Sequence, residues 1–440
     1  MWPWSSVDRI DWKNSEKYLI IQIVINMPKL LFFSAYSYPE QISSTHLDDN
    51  LCEAYNKAGF IRIVYTPTPC RGVSKDIREK YKKIKREERY GGLEVINRFS
   101  MFSEGNNTFQ RATRYFLCSI AYFFKGCFAK DARKCNIIMT SSTPPIMGAL
   151  ASIVKRCRKL PFIFVLQDIF PDSLVGTDLV KKGSLLWKIG RVIENFTYRN
   201  ADKIIVISED FKKNIMAKGV PEEKIVVVYN WVDQNAVISI PRSENKLFDK
   251  YGLERSKFYI TYNGNIGLTQ NMDMLLEVAK ALEANEDIQF VLVGNGAYLE
   301  QVKQIIKERN VGNVTLLPFQ PYEDISHVFS LGDVSLVISK PGVGANSVPS
   351  KTWSIMSASR PVLANFDENE LKSIIEKNNC GIFTKAGDKV AFTDAILKLY
   401  NDRELCREMG KNGRQFVMDN LTKETGTRKY VDVIKSFEKK

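Results

Sequence analysis

Short apolar runs punctuate this chain, and between them apolar residues return at every third or fourth position. The runs at 29–34, 61–65, 136–140, 161–166 and 203–207 predict strands buried on both faces, because apolar residues fill consecutive rather than alternate positions. Helical spacing predicts helices over 47–58, stopped by Gly59, and over 147–156 and 185–199. A Pro-rich loop, 66–69, follows the second run. The rhythm restarts after 230–246, a stretch of little period that reads as a linker. Beyond it the pattern predicts strands at 258–263, 289–293, 314–317, 334–338 and 362–364, with helices over 272–284 and 299–309. The stretch 403–440 reads as helical with an interruption at Gly410–Gly413. Strand–helix alternation implies a parallel sheet covered by helices on both faces. Because it occurs twice, it predicts an α/β chain of two Rossmann-like doubly wound domains. Ligands would lie in a cleft at the carboxyl ends of their strands.

Residues 1–26 fit neither domain. Trp2, Trp4 and Trp12 stand in a polar setting without period, and Met27 opens the clean pattern. They read as an extension upstream of a start at Met27, with a short amphipathic membrane anchor as the alternative. The expected domains are then 27–229 and 230–415, with a closing helix over 416–440. The apolar stretch 18–33 is broken by Gln22, Asn26, Pro28 and Lys29, short of the roughly 20 residues that a spanning helix needs.

Composition narrows the class. A chain of 440 residues with 44% hydrophobic and 26% charged residues is neither collagen-like nor wholly disordered. Its eight cysteines form no C-x-x-C pair and it has two histidines, which argues against a zinc site or a disulfide framework. Charge is lopsided. Residues 1–200 carry 31 Lys and Arg against 18 Asp and Glu, whereas 201–440 carry 32 of each. A field confined to one half points to an anionic partner. Two segments concentrate it. Lys75 to Arg89 has eight cations against four acids, and 111–130 interleaves aromatics with Arg and Lys. The second suits an anionic membrane interface, with a core helix as the alternative. No nucleic-acid module is visible, so nucleic acid is not an expected partner.

Several strand ends carry candidate chemistry. Tyr262-Asn-Gly-Asn-Ile-Gly267 lies between a strand and a helix, where glycines let backbone N–H groups approach a phosphate. Val291-Leu-Val-Gly-Asn-Gly296 repeats the arrangement, and Phe319-Gln-Pro-Tyr322 could wall a flat base. Each could equally be an ordinary turn. Gly344-Ala-Asn-Ser-Val-Pro-Ser-Lys351 leads into a helix, and a lysine in a first turn opposes the helix dipole unless an anion faces it. In the first half, Glu40 and Ser43 follow the first strand, and Asp168 lies in Gln167-Asp-Ile-Phe-Pro-Asp172. These carboxylates suit sugar hydroxyls, or serve as turn and cap residues.

Taken together the set resembles the bacterial glycosyltransferases of family 4, proteins of two-domain GT-B architecture. Within them it resembles the capsule, colanic-acid and O-antigen branch that includes fucosaminyltransferases. The matching residues run in family order: Tyr38-Pro-Glu40, Gln167–Ser173, Tyr198–Asp202, Ile207–Glu209, Asn230–Asp233, Gly264–Gly267, Val293–Gly296, Pro349–Lys351 and Arg360-Pro361. The resemblance implies a first domain that binds the acceptor, a second that binds a nucleotide sugar, and a closing helix that crosses back to the first. It implies a UDP-sugar as donor substrate, an N-acetylamino sugar being a candidate, and no cofactor or bound metal. The acceptor would be a lipid-diphosphate-linked glycan, met by a cytoplasmic enzyme peripheral to the anionic inner face of the cell membrane. Catalytic positions carry over to Lys351, Asp168 and Asn346. Donor-binding positions carry over to Gly264, Asn265, Gly267, Gln270, Gly294, Gly296, Phe319, Pro321, Tyr322, Ser350 and Ser354. Acceptor-binding positions carry over to Glu40, Ser43 and Asp168.

Two departures stand out. Many relatives carry two donor-site glutamates seven residues apart, where this chain has Asn346 and Ser354, and an Arg and a Lys after the first glycine turn, where it has Asn265 and Gln270. Lys351 is left as the principal cation for a diphosphate. A sugar-nucleotide 2-epimerase shares the architecture but needs paired acid–base groups that this sequence does not display. A non-catalytic protein that binds a sugar nucleotide is the rival of another class.

Overall fold

The computed structural model describes residues 27–40, 45–104, 108–175, 180–345 and 348–438. The stretch 1–26, Ser43 and Asn346 therefore lie outside the described residues. The chain forms two compact units, one of Met1–Phe164 with Asn200–Asp202 and Ile434–Lys440, the other of Val165–Arg199 with Lys203–Val433. The closing helix, Lys423–Lys435, thus begins in the second unit and its last residues are counted with the first.

Eight strands make the first sheet: β1 (Lys29–Phe33), β2 (Ile61–Pro67), β3 (Arg86–Arg89), β4 (Glu94–Phe99), β5 (Ile137–Ser141), β6 (Phe162–Leu166), β7 (Lys203–Val206) and β8 (Ile225–Val227). Their order is β3-β4-β2-β1-β5-β6-β7-β8. Consecutive apolar residues in β1, β2 and β5 are buried, as strands covered on both faces require. The sequence pattern misses β3 and β4. Arg-Glu-Glu-Arg has no apolar position, yet it pairs antiparallel at the sheet edge. Ion pairs hold it there. Glu87 meets Arg98 at 2.7 Å, and Arg89 meets Glu94 at 2.9 Å. A charged edge strand also discourages pairing with another chain. The cationic run 75–89 is consequently divided between a helix, Lys75–Lys83, and an internally paired strand.

The second sheet contains β9 (Phe258–Asn265), β10 (Ile288–Asn295), β11 (Val314–Leu317), β12 (Val334–Ile338), β13 (Val362–Phe366) and β14 (Gly381–Lys385). Its order is β11-β10-β9-β12-β13-β14, with every neighbouring pair parallel. The chain winds outward from β9 through β10 to β11, then returns to β12 and winds the other way. Its direction reverses between β9 and β12, and all the carboxyl ends share one edge. Both sheets have the Rossmann-like form expected.

Two expectations need correction. Gly410 and Gly413 do not interrupt the terminal helices, because a single helix runs Arg403–Asn420. A Cβ on Gly410 would sit 2.2 Å from the Ser359 carbonyl oxygen, and one on Gly413 3.1 Å from Met356 Cγ. These glycines let the helix lie against Lys351–Ser357 and the turn after it. The break comes instead at Leu421–Thr422, where Val232 and Thr422 form a bridge. The stretch 230–246 is also not loose. Trp231 is buried, its ring edge-on to Tyr430 at 5.9 Å, and a Cβ on Gly426 would lie 2.2 Å from Trp231 Cε3. It lacks period because it packs as irregular chain against helices.

Candidate functional site

The glycine turns after β9 and β10 are built as one piece. Gly264 and Gly294 face each other across the ladder. A Cβ on Gly294 would lie 1.9 Å from the Gly264 carbonyl oxygen, so no other residue fits. Just beyond, Ile266 N–H donates to Asn295 O at 2.9 Å and Tyr298 N–H to Ile266 O at 3.0 Å. Gly296 is needed for the same reason: its Cβ would fall 2.2 Å from Ile266 O.

The amides of these turns are not all open. Gly267 N–H donates to Gln270 Oε1 at 3.0 Å, and Gly296 N–H donates to Asn295 Oδ1 at 2.8 Å. Short polar side chains thus occupy amides expected to face an anion. A ligand would replace them one acceptor for another.

Lys351 begins the helix Lys351–Ser357, and its ammonium sits 3.7 Å from the centroid of the Tyr262 ring. Tyr262 is buried and donates its O–H to Asn265 O at 2.7 Å, which ties the ring to the first glycine turn. No hydrogen bond or ion pair joins the ammonium to another described residue. Burial without a compensating carboxylate holds its pKa down, from the ordinary 10.5 to about 7. Ser350 is exposed, has helical backbone angles and caps nothing with its hydroxyl. The helix is only seven residues long, so its dipole adds little to the lysine's charge. Ser354 is half-buried one turn along.

Residues that the sequence reading overlooked complete this edge. Lys340 follows β12, its N–H bonded to Thr269 O at 2.8 Å and its ammonium 5.4 Å from the Tyr298 ring centroid. Asp367, after β13, accepts the N–H groups of Gly342 at 2.9 Å and Gly344 at 2.7 Å. Asn369 Nδ2 donates to Gly344 O at 3.1 Å. Together they pin residues 342–344, the first part of the connection between β12 and Lys351. Asn263 on β9 and Ser339 after β12 are buried, and neither the Asn263 amide nor the Ser339 hydroxyl has a partner. Unpaired polar atoms at the reversal point of a sheet call for a ligand or water.

On the far side of β10, Gln320 turns inward, accepting from Lys250 Nζ at 3.0 Å and donating to the Tyr251 hydroxyl at 2.8 Å. Anchoring the loop this way leaves Phe319 74% and Tyr322 50% exposed, with Pro321 exposed between them.

The acceptor-side expectations fare differently. Glu40 is only 3% exposed. Its carboxylate accepts backbone N–H groups from Ser37 (3.1 Å), Cys70 (2.8 Å) and Arg71 (2.9 Å). It braces two loops of the first unit and presents no open carboxylate. Its pKa is raised by burial, against the lowering effect of those three donors. Asp168 lies in an exposed turn after β6. Packing around its carboxyl raises the pKa, opposed by the Ser173 hydroxyl and Ile169 N–H. Beside it, Asn230 Nδ2 donates to Gln167 Oε1 at 3.1 Å, which joins two of the motifs picked out in the sequence.

Known proteins resemble the chain over both units. Residues 49–236 match the family described as "Glycosyltransferase Family 4", and residues 243–416 the one described as "Glycosyl transferases group 1". A probable glycosyltransferase, WbjE of Pseudomonas aeruginosa, is 24% identical over 63% of this chain and 69% of its own length. The putative colanic acid biosynthesis glycosyl transferase WcaI of Escherichia coli is 26% identical over 52% of this chain, which spans a little over half (56%) of that protein. The putative glycosyltransferase EpsD of Bacillus subtilis is 27% identical over 62% of this chain and 69% of its own. Among solved structures, Anabaena Alr3699/HepE in complex with UDP and glucose superposes with a TM-score of 0.69. That match has 16% identity and covers 93% of this chain and all of the other (100%). Sucrose-phosphate synthase from Thermosynechococcus elongatus gives a TM-score of 0.71 at 16% identity, over 93% of this chain and 99% of that one.

Proposed function

Since the chain belongs to the family 4 glycosyltransferases, with the GT-B fold, we propose that it is a retaining enzyme that moves a sugar from a UDP-sugar to a lipid-diphosphate-linked glycan. The product would be a bacterial cell-surface polysaccharide, in keeping with the similarity to WcaI, a putative colanic acid biosynthesis glycosyl transferase. An N-acetylamino sugar is the donor to test first. Residues 230–415 hold the donor and residues 27–229 the acceptor, at the anionic inner face of the cell membrane.

The observation that carries this reading is the lone ammonium of Lys351, desolvated over Tyr262 beside the glycine turns of a sheet's carboxyl edge. A diphosphate placed against it restores its charge. Lys340 stands at the start of the same connection after β12, its ammonium over the Tyr298 ring. Phe319 and Tyr322 suit the uracil face, and Asn263 and Ser339 have hydrogen bonds to give. As the bond from the anomeric carbon to the diphosphate breaks, negative charge grows on the leaving oxygen. The acceptor hydroxyl attacks from the same face, and its proton passes to that oxygen. No side-chain nucleophile is required. The protein's task is to stabilise the charge that appears in the transition state more than the charge already present in the donor. Ser350, Ser354, Asn265 and Gln270 line the same edge as polar contacts for the diphosphate and sugar.

A screen of UDP-sugars for thermal stabilisation, followed by transfer to a lipid-linked primer, tests the reading. One UDP-sugar should raise the melting temperature and be consumed only with primer present. Stabilisation without transfer to any primer would favour a binding protein, and no stabilisation by UDP itself would end the reading.

A further inference from the structure

Nine of the 21 large apolar side chains exposed among the described residues fall on just two helices. In the first unit, Thr108–Phe128 exposes Phe116, Ile120, Phe124 and Phe128, each four residues from the last, at 60, 42, 56 and 63%. That spacing sets them along one face. The same helix buries Cys118 and Tyr122, so it is properly seated, with its core side inward. In the second unit, Leu185–Asn200 exposes Leu185, Ile189 and Val192 at 76, 49 and 68%, while Gly190, Glu194 and Tyr198 are buried. Both helices are seated by buried residues on one side and still turn large apolar side chains outward on the other, whereas a helix at a watery surface turns polar residues outward.

Charge identifies what covers them. Thr108–Phe128 contains no Asp or Glu, and Lys125 and Lys130 are exposed beside its apolar face. Residues 181–193 contain no carboxylate either, and Lys181, Lys182 and Lys188 are exposed. None of these five ammonium groups makes an ion pair with a described residue. A second copy of the chain, packed by two-fold symmetry, would set lysine against lysine. An anionic leaflet satisfies both features: headgroups for the lysines, and hydrocarbon within reach of the apolar side chains.

We propose that each of these two helix faces inserts, by itself, into the boundary between headgroups and acyl chains of an anionic bilayer. The inference deepens the membrane half of the proposed function and rests on it, but not on the donor site. It differs from adsorption by net charge, because inserted apolar surface is not screened by salt.

Flotation of the full chain with phosphatidylcholine vesicles, with and without phosphatidylglycerol, separates the possibilities. The chain should bind the anionic vesicles, and a fraction of it should stay bound when salt is raised to about 0.5 M, where charges are screened within a few ångström. Two double variants, Phe124→Gln with Phe128→Gln and Leu185→Gln with Val192→Gln, should each lower the high-salt partition coefficient at least about tenfold. Both should keep the wild-type circular dichroism and UDP binding, so that failure of docking and failure of the donor site are read separately. Equal binding by wild type and variants would overturn the proposal, as would absence of vesicle binding. So would a wild-type oligomer in sedimentation that the variants dissolve, since a second copy would then be the occupant.

Discussion

The ammonium of Lys351 and the ring of Tyr262 form a cation–π pair, 3.7 Å from nitrogen to ring centroid, with no carboxylate to share the charge. An aromatic face is a weak partner for a desolvated cation, worth about 0.5–2 kcal/mol. It holds the lysine in place without neutralising it. A carboxylate there would compete with an incoming diphosphate, and a ring does not. If the pair serves transition-state charge, Lys351→Ala should fold normally and lose about 10²–10³-fold in kcat, the usual cost of deleting one such donor. The melting temperature should not fall, because the variant removes a half-buried ammonium that has no acidic partner among the described residues. Wild-type turnover in Lys351→Ala would remove this residue from the mechanism.

The same pair couples donor binding to pH. The folded, unliganded chain holds the Lys351 proton less tightly than an unfolded chain does, with a pKa of about 7 against the ordinary 10.5. The stability this group contributes is therefore complete above about 10.5 and is lost as pH falls through about 7. Donor binding runs the other way, because a diphosphate favours the charged form. UDP affinity should fall as pH rises above 7, by up to about tenfold per pH unit. Calorimetry at pH ~8, in buffers of different ionisation heat, should show uptake approaching one proton per UDP. Lys351→Met should take up none. Heats that do not depend on the buffer in the wild type would show that the ammonium is already charged or lies away from the ligand.

Glycine turns at strand ends can be read from sequence because only glycine tolerates a carbonyl oxygen at the distance a Cβ would occupy. Gly294 makes the point testable. A Cβ 1.9 Å from Gly264 O would have to push apart a pair of strands that are bonded over their whole lengths. Gly294→Ala should cost about 2–4 kcal/mol, as strain in a rigid core does. That lowers the melting temperature by several degrees, at about 2–4 °C per kcal/mol for a domain of this size. Gly342 also has a positive φ, of 82°, but open space surrounds its Cβ position. Gly342→Ala should cost only about 1 kcal/mol of backbone strain. Equal losses in the two would contradict the close approach.

What escaped the sequence shares a different cause. β3 has no apolar residue, and its partners, Arg98 and Glu94, are recognisable only once β4 lies beside it. Gly410 and Gly413 look like a helix break because glycine is a poor helix former, yet they are contact points for Met356 and the turn at Ser359. Lys340 opens a Pro-Gly turn, which marks a bend but not a site, and its place here follows from the adjacency of β12 and β9. Glu40 shows the converse. A carboxylate after a strand suggests a ligand, and here the chain's own amides have claimed it. Local spacing reports on strands, helices and tight turns. It is silent on which distant segment a charged or polar residue will meet.

Asp367 is the clearest such residue, since its partners lie 25 and 23 positions earlier in the chain. Its two oxygens fix the amides of Gly342 and Gly344, and with Asn369 it holds the chain at 342–344, ahead of Lys351. A hydrogen bond to a charged group is worth about 1.5–3 kcal/mol. Releasing two of them should loosen the loop but leave the sheet intact, because Asp367 itself is only half-buried. Asp367→Ala should therefore speed hydrogen exchange at the amides of Gly342 and Gly344 at least about tenfold with little change in melting temperature. The KM for the donor should rise more than kcat falls, because the ordered loop is then formed at the expense of binding. Asp367→Asn keeps one acceptor oxygen and should fall between wild type and Asp367→Ala in both readouts. Unchanged exchange at Gly342 and Gly344 in the alanine variant would show that the loop is held by other contacts and that Asp367 has no positioning role.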